Sequence, residues 1–509
     1  MADFLILGGG LTGCVLATRL KEENPSAHVT LLEAGPNEHE NPVVLDPMGT
    51  FQMHNSRYEY NYATVPQKGY DGRQVYNAGG KQLSGSSAVN FAMWTRGSVS
   101  DYDLWAELAG DERWSYDGML PYFRKTETHH DPKTADPEQH GFEGPILTTA
   151  GARIYPLTDT MHTAFLKGTG LPAITDANSG HPIGVAPYTE NWHPKGYRQP
   201  AGRAYGLKGV EVVTNAQVHR IILDGNVAKG AELVDGRTFT ARREVIVCCG
   251  AIRTPQVLLL SGIGPAEELA RHGIKQLVDS PDVGLNFHDH IAMCQFFNIK
   301  NPDNLGLVAG SPLWNDPSYL LGIPADIVIT DTAPPKELKA AMIADGEPNV
   351  TDSHPHLQTN RGHLELLPIY APTEAPLTNL NIPFDGTCIT VGQLNLLPTS
   401  RGSVTLESSD PSAAPLIDPN YFATEADRVV VRQAMRHTMR SFETPEGQTI
   451  IEGEITPEGA TALTSTSSDA ELDARIKKTA ATWFHPAGSA AMGKVVDADL
   501  RVIGAEKLR

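Results

Sequence analysis

Four consecutive apolar residues, Phe4-Leu5-Ile6-Leu7, stop at Gly8-Gly9-Gly10, and apolar positions at helical spacing follow, Leu11, Val15, Leu16 and Leu20. The first run reads as a strand buried on both faces of a parallel sheet. The second reads as a helix with Arg19, Lys21, Glu22 and Glu23 on its wet side, docking its apolar stripe on that sheet. Asn24-Pro25-Ser26 ends the helix, and Val29-Thr30-Leu31-Leu32 forms a second strand that stops at Glu33. A βαβ unit is predicted. Val212 to Asn215, Arg220 to Leu223 and Arg243 to Cys249 pattern as further strands, while residues 300–400 are rich in Pro, Asn and Asp and show no βαβ repeat. Glu425 to Ser441 reads as one amphipathic helix, with Val429, Val430, Met435 and Met439 at workable spacing. The chain carries no internal repeat or low-complexity tract.

The glycines between the first strand and helix fit G-x-G-x-x-G at Gly8, Gly10 and Gly13. The first allows a tight turn, the second lets backbone N–H groups approach a pyrophosphate, and the third lets helix and strand pack closely. Glu33 lies 20 residues beyond Gly13, where a carboxylate can accept the hydroxyl hydrogens of an adenosine ribose and would repel a 2′-phosphate. With strand, helix and acid in register, the segment points to dinucleotide binding. Residues 79–97 form a second signal, small residues running into Val89, Phe91, Met93 and Trp94, as expected of a backbone that lies against a large flat ligand.

Charge and composition narrow the partners. Over 509 residues, 41 Lys and Arg stand against 60 Asp and Glu, a formal charge of −19 that opposes broad contact with nucleic acid or anionic lipid. The length predicts two or three packed units. No apolar stretch approaches the ~20 residues that cross a bilayer, and no charged leader with an apolar core precedes Asp3, so a soluble cytoplasmic protein is expected. The five cysteines, Cys14, Cys248, Cys249, Cys294 and Cys388, lack C-x-x-C spacing and suit a reducing compartment. His129-His130 and His288-Asp289-His290 are not joined by a recognisable ligand set, and no metal is expected. Nothing in the sequence specifies an oligomeric state.

Five stretches together closely resemble the glucose-methanol-choline (GMC) oxidoreductases, a family of FAD-dependent enzymes. They are the N-terminal fingerprint with Glu33, the Gly79 to Gly97 run, Gly250 to Pro265, Val283 to His290, and Trp483-Phe484-His485-Pro486-Ala487-Gly488-Ser489. The resemblance implies an α/β fold in which a discontinuous Rossmann-like FAD-binding domain (1–150, 206–295 and 476–509) carries an inserted α+β substrate domain built on an antiparallel sheet (151–205 and 296–475). It implies that Leu11, Thr12 and Gly13 meet the pyrophosphate, Glu33 and its neighbour Ala34 the ribose side, and Val218 the adenine through its backbone. Ser86, Asn90, Phe91, Ala92 and Met93 would lie along the flavin. Some members tether the flavin to a histidine one place before the Asn90 position; Val89 stands there, so FAD is expected to be noncovalent.

The implied reaction is oxidation of a small-to-medium neutral alcohol to a carbonyl, with His485 as general base and oxygen or another acceptor receiving the electrons. A near-neutral imidazole suits that role. Trp94, Phe91 and Trp483 suggest an aromatic-lined site. A non-redox lyase or cyclase on the same scaffold, or a catalytically silent binding protein, are the alternatives. In the family a second His or Asn and a closing helix follow the His485 motif, whereas this sequence stops at Arg509, so the functional protein is expected to extend further.

Overall fold

The computed structural model describes residues 1–131, 133–301, 306–373 and 380–509. β1 (Ala2–Leu7), α1 (Leu11–Glu23) and β2 (Val29–Leu32) make the expected βαβ unit, with the two strands parallel and in register from Phe4 opposite Val29 to Leu7 opposite Leu32. Leu5, Ile6 and Leu7 are fully buried. Alternation along β1 explains why: Phe4 and Ile6 join the α1 side with Cys14 and Ala17, while Leu5 and Leu7 join the opposite core with Val257 to Leu260.

The helix docks differently from the stripe read off the sequence. Its buried residues are Gly13, Cys14, Ala17 and Thr18, with Val15, Leu16 and Leu20 packing at the rim and Leu11 49% exposed. Small residues face the sheet because the helix approaches so closely that larger ones would not fit. At the far end Asn24 donates its backbone N–H to the Leu20 carbonyl, ending the helix where Pro25 forbids its continuation.

The first sheet has six strands in the order Val218–Asp224, Val227–Leu233, Thr238–Val247, β1, β2 and Glu211–Val213. Thr238–Val247 runs parallel to β1, and the preceding pair forms an antiparallel meander. The three strands expected here exist with shifted ends. Asn215 adopts a left-handed φ of 51° that closes Glu211–Val213, and Thr238–Val247 begins earlier and ends before Cys248. Leu508 bridges Val245 in parallel beside this strand.

A second sheet is wholly antiparallel, in the order Ile451–Ile455, Ile291–Ile299, Cys388–Asn395, Leu364–Ile369, Ile327–Asp331 and Gly184–Pro187, with Ala481–Thr482 also pairing Ile291–Ile299. Its apolar face packs through Phe297, Leu366 and Ile389 on the helices Thr158–Thr169 and Glu425–Glu443, represented by Phe165, Val430 and Ala434. Val430, Met435 and Met439 are buried on the longer helix as its spacing predicts, with Val429 packing at the edge. The segment boundary expected at residue 295 needs correction: it cuts Ile291–Ile299, which belongs to this sheet along its whole length. Ala481 and Thr482, expected on the flavin side of a boundary at 476, also join it. Interstrand hydrogen bonding, which no local pattern specifies, sets both limits. Among the described residues no helix is long and apolar enough to cross a membrane.

Candidate active site

The turn between β1 and α1 is shaped by what a side chain would strike. A Cβ on Gly13 would stand 2.0 Å from the Gly8 carbonyl oxygen, and Gly8 itself has φ +99°. A Cβ on Gly10 would meet nothing nearer than 3.9 Å, so its absence keeps open space clear rather than relieving a clash. Gly10 caps α1 with no side chain bonded to the first turn, which carries no acidic residue. The leading N–H groups of the helix thus face a cavity with partial positive charge.

Glu33 closes the other side of that cavity. Its carboxylate accepts from Gly9 N at 2.9 Å and Gly35 N at 2.8 Å. Burial pushes its pKa up to about 7 against the backbone N–H groups of Gly35 and Gly9, which favour the charged form. The cavity is about 470 Å³ and is lined by Gly8, Gly10, Leu11, Thr12, Glu33, Ala34, Ser86 and Val218 among the residues expected from sequence. Gly13 is not among the residues that line this cavity; its missing side chain lets helix and strand pack closely.

A second cavity of about 250 Å³ is lined by Ser86, Asn90, Phe91, Ala92, Met93 and His485. Leu11, Ala78, Ser86 and Phe484 line both, so the two adjoin. Phe91 and Trp483 contribute aromatic walls as expected. Trp94 does not, because its indole turns away and donates to Glu127 Oε2 at 3.1 Å. Two non-glycine residues with left-handed backbone, Ala92 and Phe484, each at φ 61°, flank this cavity. Such strain is held only where the surroundings fix it. Here the Thr482 hydroxyl accepts from Phe484 N at 2.7 Å, and Asn90 Oδ1 accepts from Ala92 N at 3.2 Å.

His485 opens into the second cavity from a braced segment. Asp289 Oδ1 accepts its backbone N–H at 2.9 Å, while Oδ2 accepts from the Thr482 and Tyr421 hydroxyls. His288 and Ala487 exchange backbone hydrogen bonds at 3.0 and 2.8 Å. The Ser489 hydroxyl reaches the Ala251 carbonyl, tying this motif to the one beginning at Gly250. The surrounding protein lowers the His485 pKa through desolvation, opposed by the negative charge of Asp289, so the ring is neutral near pH 7.

Several residues at this site carry no local signal. Arg198 is 1% exposed, bonds the carbonyls of Val44 and Asn90, Asn90 Oδ1 and the Thr50 hydroxyl, and stacks over Trp192. Burial lowers its pKa to about 9, with Asp46 opposing. Glu59, bonded by Tyr76, and His54, whose ring stacks on Phe484 at 5.6 Å, line the second cavity. His290 places Nδ1 3.0 Å from Nδ1 of His485. The contact spans 195 residues, so no sequence window contains it.

Elsewhere, His129 is brought beside Glu127 and His140, three buried groups whose ligand atoms lie within 4.8 Å of one another. Each is already engaged. Glu127 pairs with Arg96 at 2.5 Å, His140 lies between Glu127 and Asp176 at 2.8 and 3.0 Å, and His129 bonds Thr148 and Thr134. The guanidinium of Arg96 neutralises this network.

A glycine-turned βαβ cradle running into a chamber with a neutral imidazole at its wall defines a dinucleotide-binding oxidoreductase. The chain belongs to the GMC oxidoreductase family, whose profile matches residues 2–292 and 398–509. It is 42% identical over 509 residues to the GMC-type oxidoreductase acuG of Aspergillus aculeatus, covering 100% of this chain and 93% of that protein. It is 34% identical over 526 residues to an oxygen-dependent choline dehydrogenase of Burkholderia multivorans, covering 100% and 88%. The fold matches that of pyridoxine 4-oxidase from Mesorbium loti with a TM-score of 0.83 at 28% identity, over 100% of this chain and 93% of that one. The protein is an FAD-dependent oxidoreductase. The residues present fit that cofactor, since the cradle offers unpaired helix N–H groups, space where a Gly10 side chain would stand, and a carboxylate at the end of β2.

Proposed function

We propose that this chain oxidises the CH–OH group of a small-to-medium neutral alcohol to a carbonyl, with His485 as the general base. The observation that carries the reading is the neutral His485 imidazole opening into a mainly apolar chamber that adjoins the dinucleotide cradle. Leu11, Thr12 and Gly13 would hold the pyrophosphate, Glu33 and Ala34 the ribose side, and Val218 the adenine. Ser86, Asn90, Phe91, Ala92 and Met93 would line the flavin ring. Bound there, FAD supplies the acceptor for the hydride from the alcohol carbon. His485 takes the hydroxyl proton, and the electron pair left on the oxygen forms the carbonyl as the hydride departs. Phe91, Met93, Trp483 and Phe484 give the chamber a mainly apolar lining, which favours an uncharged substrate. Val89 offers no nucleophile for a covalent tether, which supports noncovalent FAD. The names of the relatives support an alcohol as the substrate class, and oxygen or another acceptor completes the cycle.

The test is anaerobic reduction of the yellow protein by an alcohol. His485→Ala is expected to slow bleaching roughly 10²- to 10⁴-fold while FAD content stays unchanged. Unchanged reduction kinetics in that variant would remove His485 from the mechanism.

A further inference from the structure

A neutral imidazole is a base only at the nitrogen that carries no hydrogen, so the role of His485 depends on its tautomer. Its Nδ1 lies 3.0 Å from Nδ1 of His290, with the rings crossing at 84° and centroids 5.0 Å apart. Desolvation lowers the pKa of both rings, that of His290 to about 3 with the neighbouring His485 and His288 adding to it. Two neutral rings therefore face each other. Their contact forms only if one Nδ1 donates and the other accepts.

Two arrangements satisfy this requirement. If His290 donated, His485 would carry its hydrogen on Nε2 and present a donor to the chamber. If His485 donates, its Nε2 keeps a lone pair. Only the second leaves a base facing the chamber, so the reading of His485 as the base selects it. In that arrangement His485 donates its Nδ1–H and His290 accepts at Nδ1, carrying its own hydrogen on Nε2.

We infer that His290 is a positioning residue that fixes His485 in the Nδ1–H tautomer and leaves Nε2 as its basic nitrogen. The inference rests on the reading of His485 as the base. The scaffold holds both rings. His290 immediately precedes Ile291–Ile299, in which Ile291 pairs with both Asn395 and Thr482, so the segment that carries His485 is held beside it. Asp289 fixes the His485 backbone at 2.9 Å. A neutral acceptor differs from a carboxylate here, since it sets the tautomer without stabilising the imidazolium and so leaves the His485 pKa low.

The experiment compares wild type, His290→Leu and His290→Asn as holoproteins labelled with ¹⁵N-histidine. The His485 resonances are assigned by their loss in His485→Ala. Ring ¹⁵N–¹H correlations report the tautomer directly, independently of turnover. Wild type is expected to show His485 protonated at Nδ1. His290→Leu, which removes the acceptor, should populate the Nε2–H form and slow flavin reduction at saturating alcohol by about ten-fold or more, with little change in KM. His290→Asn places an amide oxygen near the lost nitrogen and should recover both the tautomer and most of the rate. Wild-type His485 protonated at Nε2 would overturn the inference, as would an unchanged tautomer in His290→Leu or an equal rate loss in both variants. Failure of the base reading is separately visible, because His485→Ala would then reduce at the wild-type rate whatever the spectra show.

Discussion

Glu33→Gln tests the cofactor cradle through two linked quantities. The carboxylate accepts from Gly9 N with one oxygen and Gly35 N with the other, at 2.9 and 2.8 Å. A glutamine has one acceptor oxygen, so its NH₂ group must face one of these N–H donors. A hydrogen bond to a charged acceptor contributes about 1.5–3 kcal/mol, and its loss at the ribose side of the cradle weakens FAD roughly ten- to a hundred-fold. The same variant alters the apoprotein. Burial raises the Glu33 pKa from 4.5 to about 7, so the folded state favours the protonated carboxyl. That contribution, on the order of 3 kcal/mol, is fully present below pH 4.5 and is lost as pH rises through about 7. Fluorescence titration of apoprotein with FAD measures the first effect, and denaturant unfolding of apoprotein across pH 4.5 to 8 the second. The variant should bind FAD more weakly and show a flatter stability profile than wild type. Equal affinity, with an unchanged pH profile, would refute the placement of Glu33 at the ribose.

Three further outcomes follow from the same geometry. Gly13→Ala puts a methyl 2.0 Å from the Gly8 carbonyl oxygen, so α1 must move; a loss of about 1–3 kcal/mol in thermal unfolding and loss of FAD are expected. Asp289→Ala leaves the Thr482 and Tyr421 hydroxyls and the His485 N–H without their acceptor. It should cost about 3 kcal/mol or more and slow flavin reduction even in preparations that retain FAD. In the Arg96 network, burial disfavours the charged His140 ring, but Asp176 and Glu127 outweigh it and raise its pKa from 6.5 to about 9. Its stabilisation is therefore full below pH 6.5 and lost as pH rises through about 9; unfolding midpoints of His140→Gln should lack that decline, and an identical decline would exclude the network as its source.

The βαβ unit was legible because hydrophobic period, glycine spacing and acidic residue all lie within one short window. The docking face of α1 was not. Side-chain size decides it, and Leu11, read as part of the apolar stripe, instead lines both cavities. Strand ends moved by a few residues because hydrogen bonding to distant strands, rather than local pattern, sets them, as at Thr238–Val247. At the site, His485 was legible through its motif, but its partner was not: His290 and Asp289 come to it through strand pairing between segments nearly 200 residues apart. Arg198 likewise reaches Asn90 across 108 residues. Trp94 was misjudged because an indole adjacent to cavity residues can still turn toward a buried carboxylate.

The central claim is that an FAD molecule sits without a covalent bond between the β1–α1 turn and His485. Acid precipitation of the purified yellow protein tests it most directly. The account predicts one FAD per chain in the supernatant and a colourless pellet that carries no flavin fluorescence. Flavin retained in the pellet would contradict the noncovalent assignment made at Val89, and a colourless protein that takes up no added FAD would contradict the account as a whole.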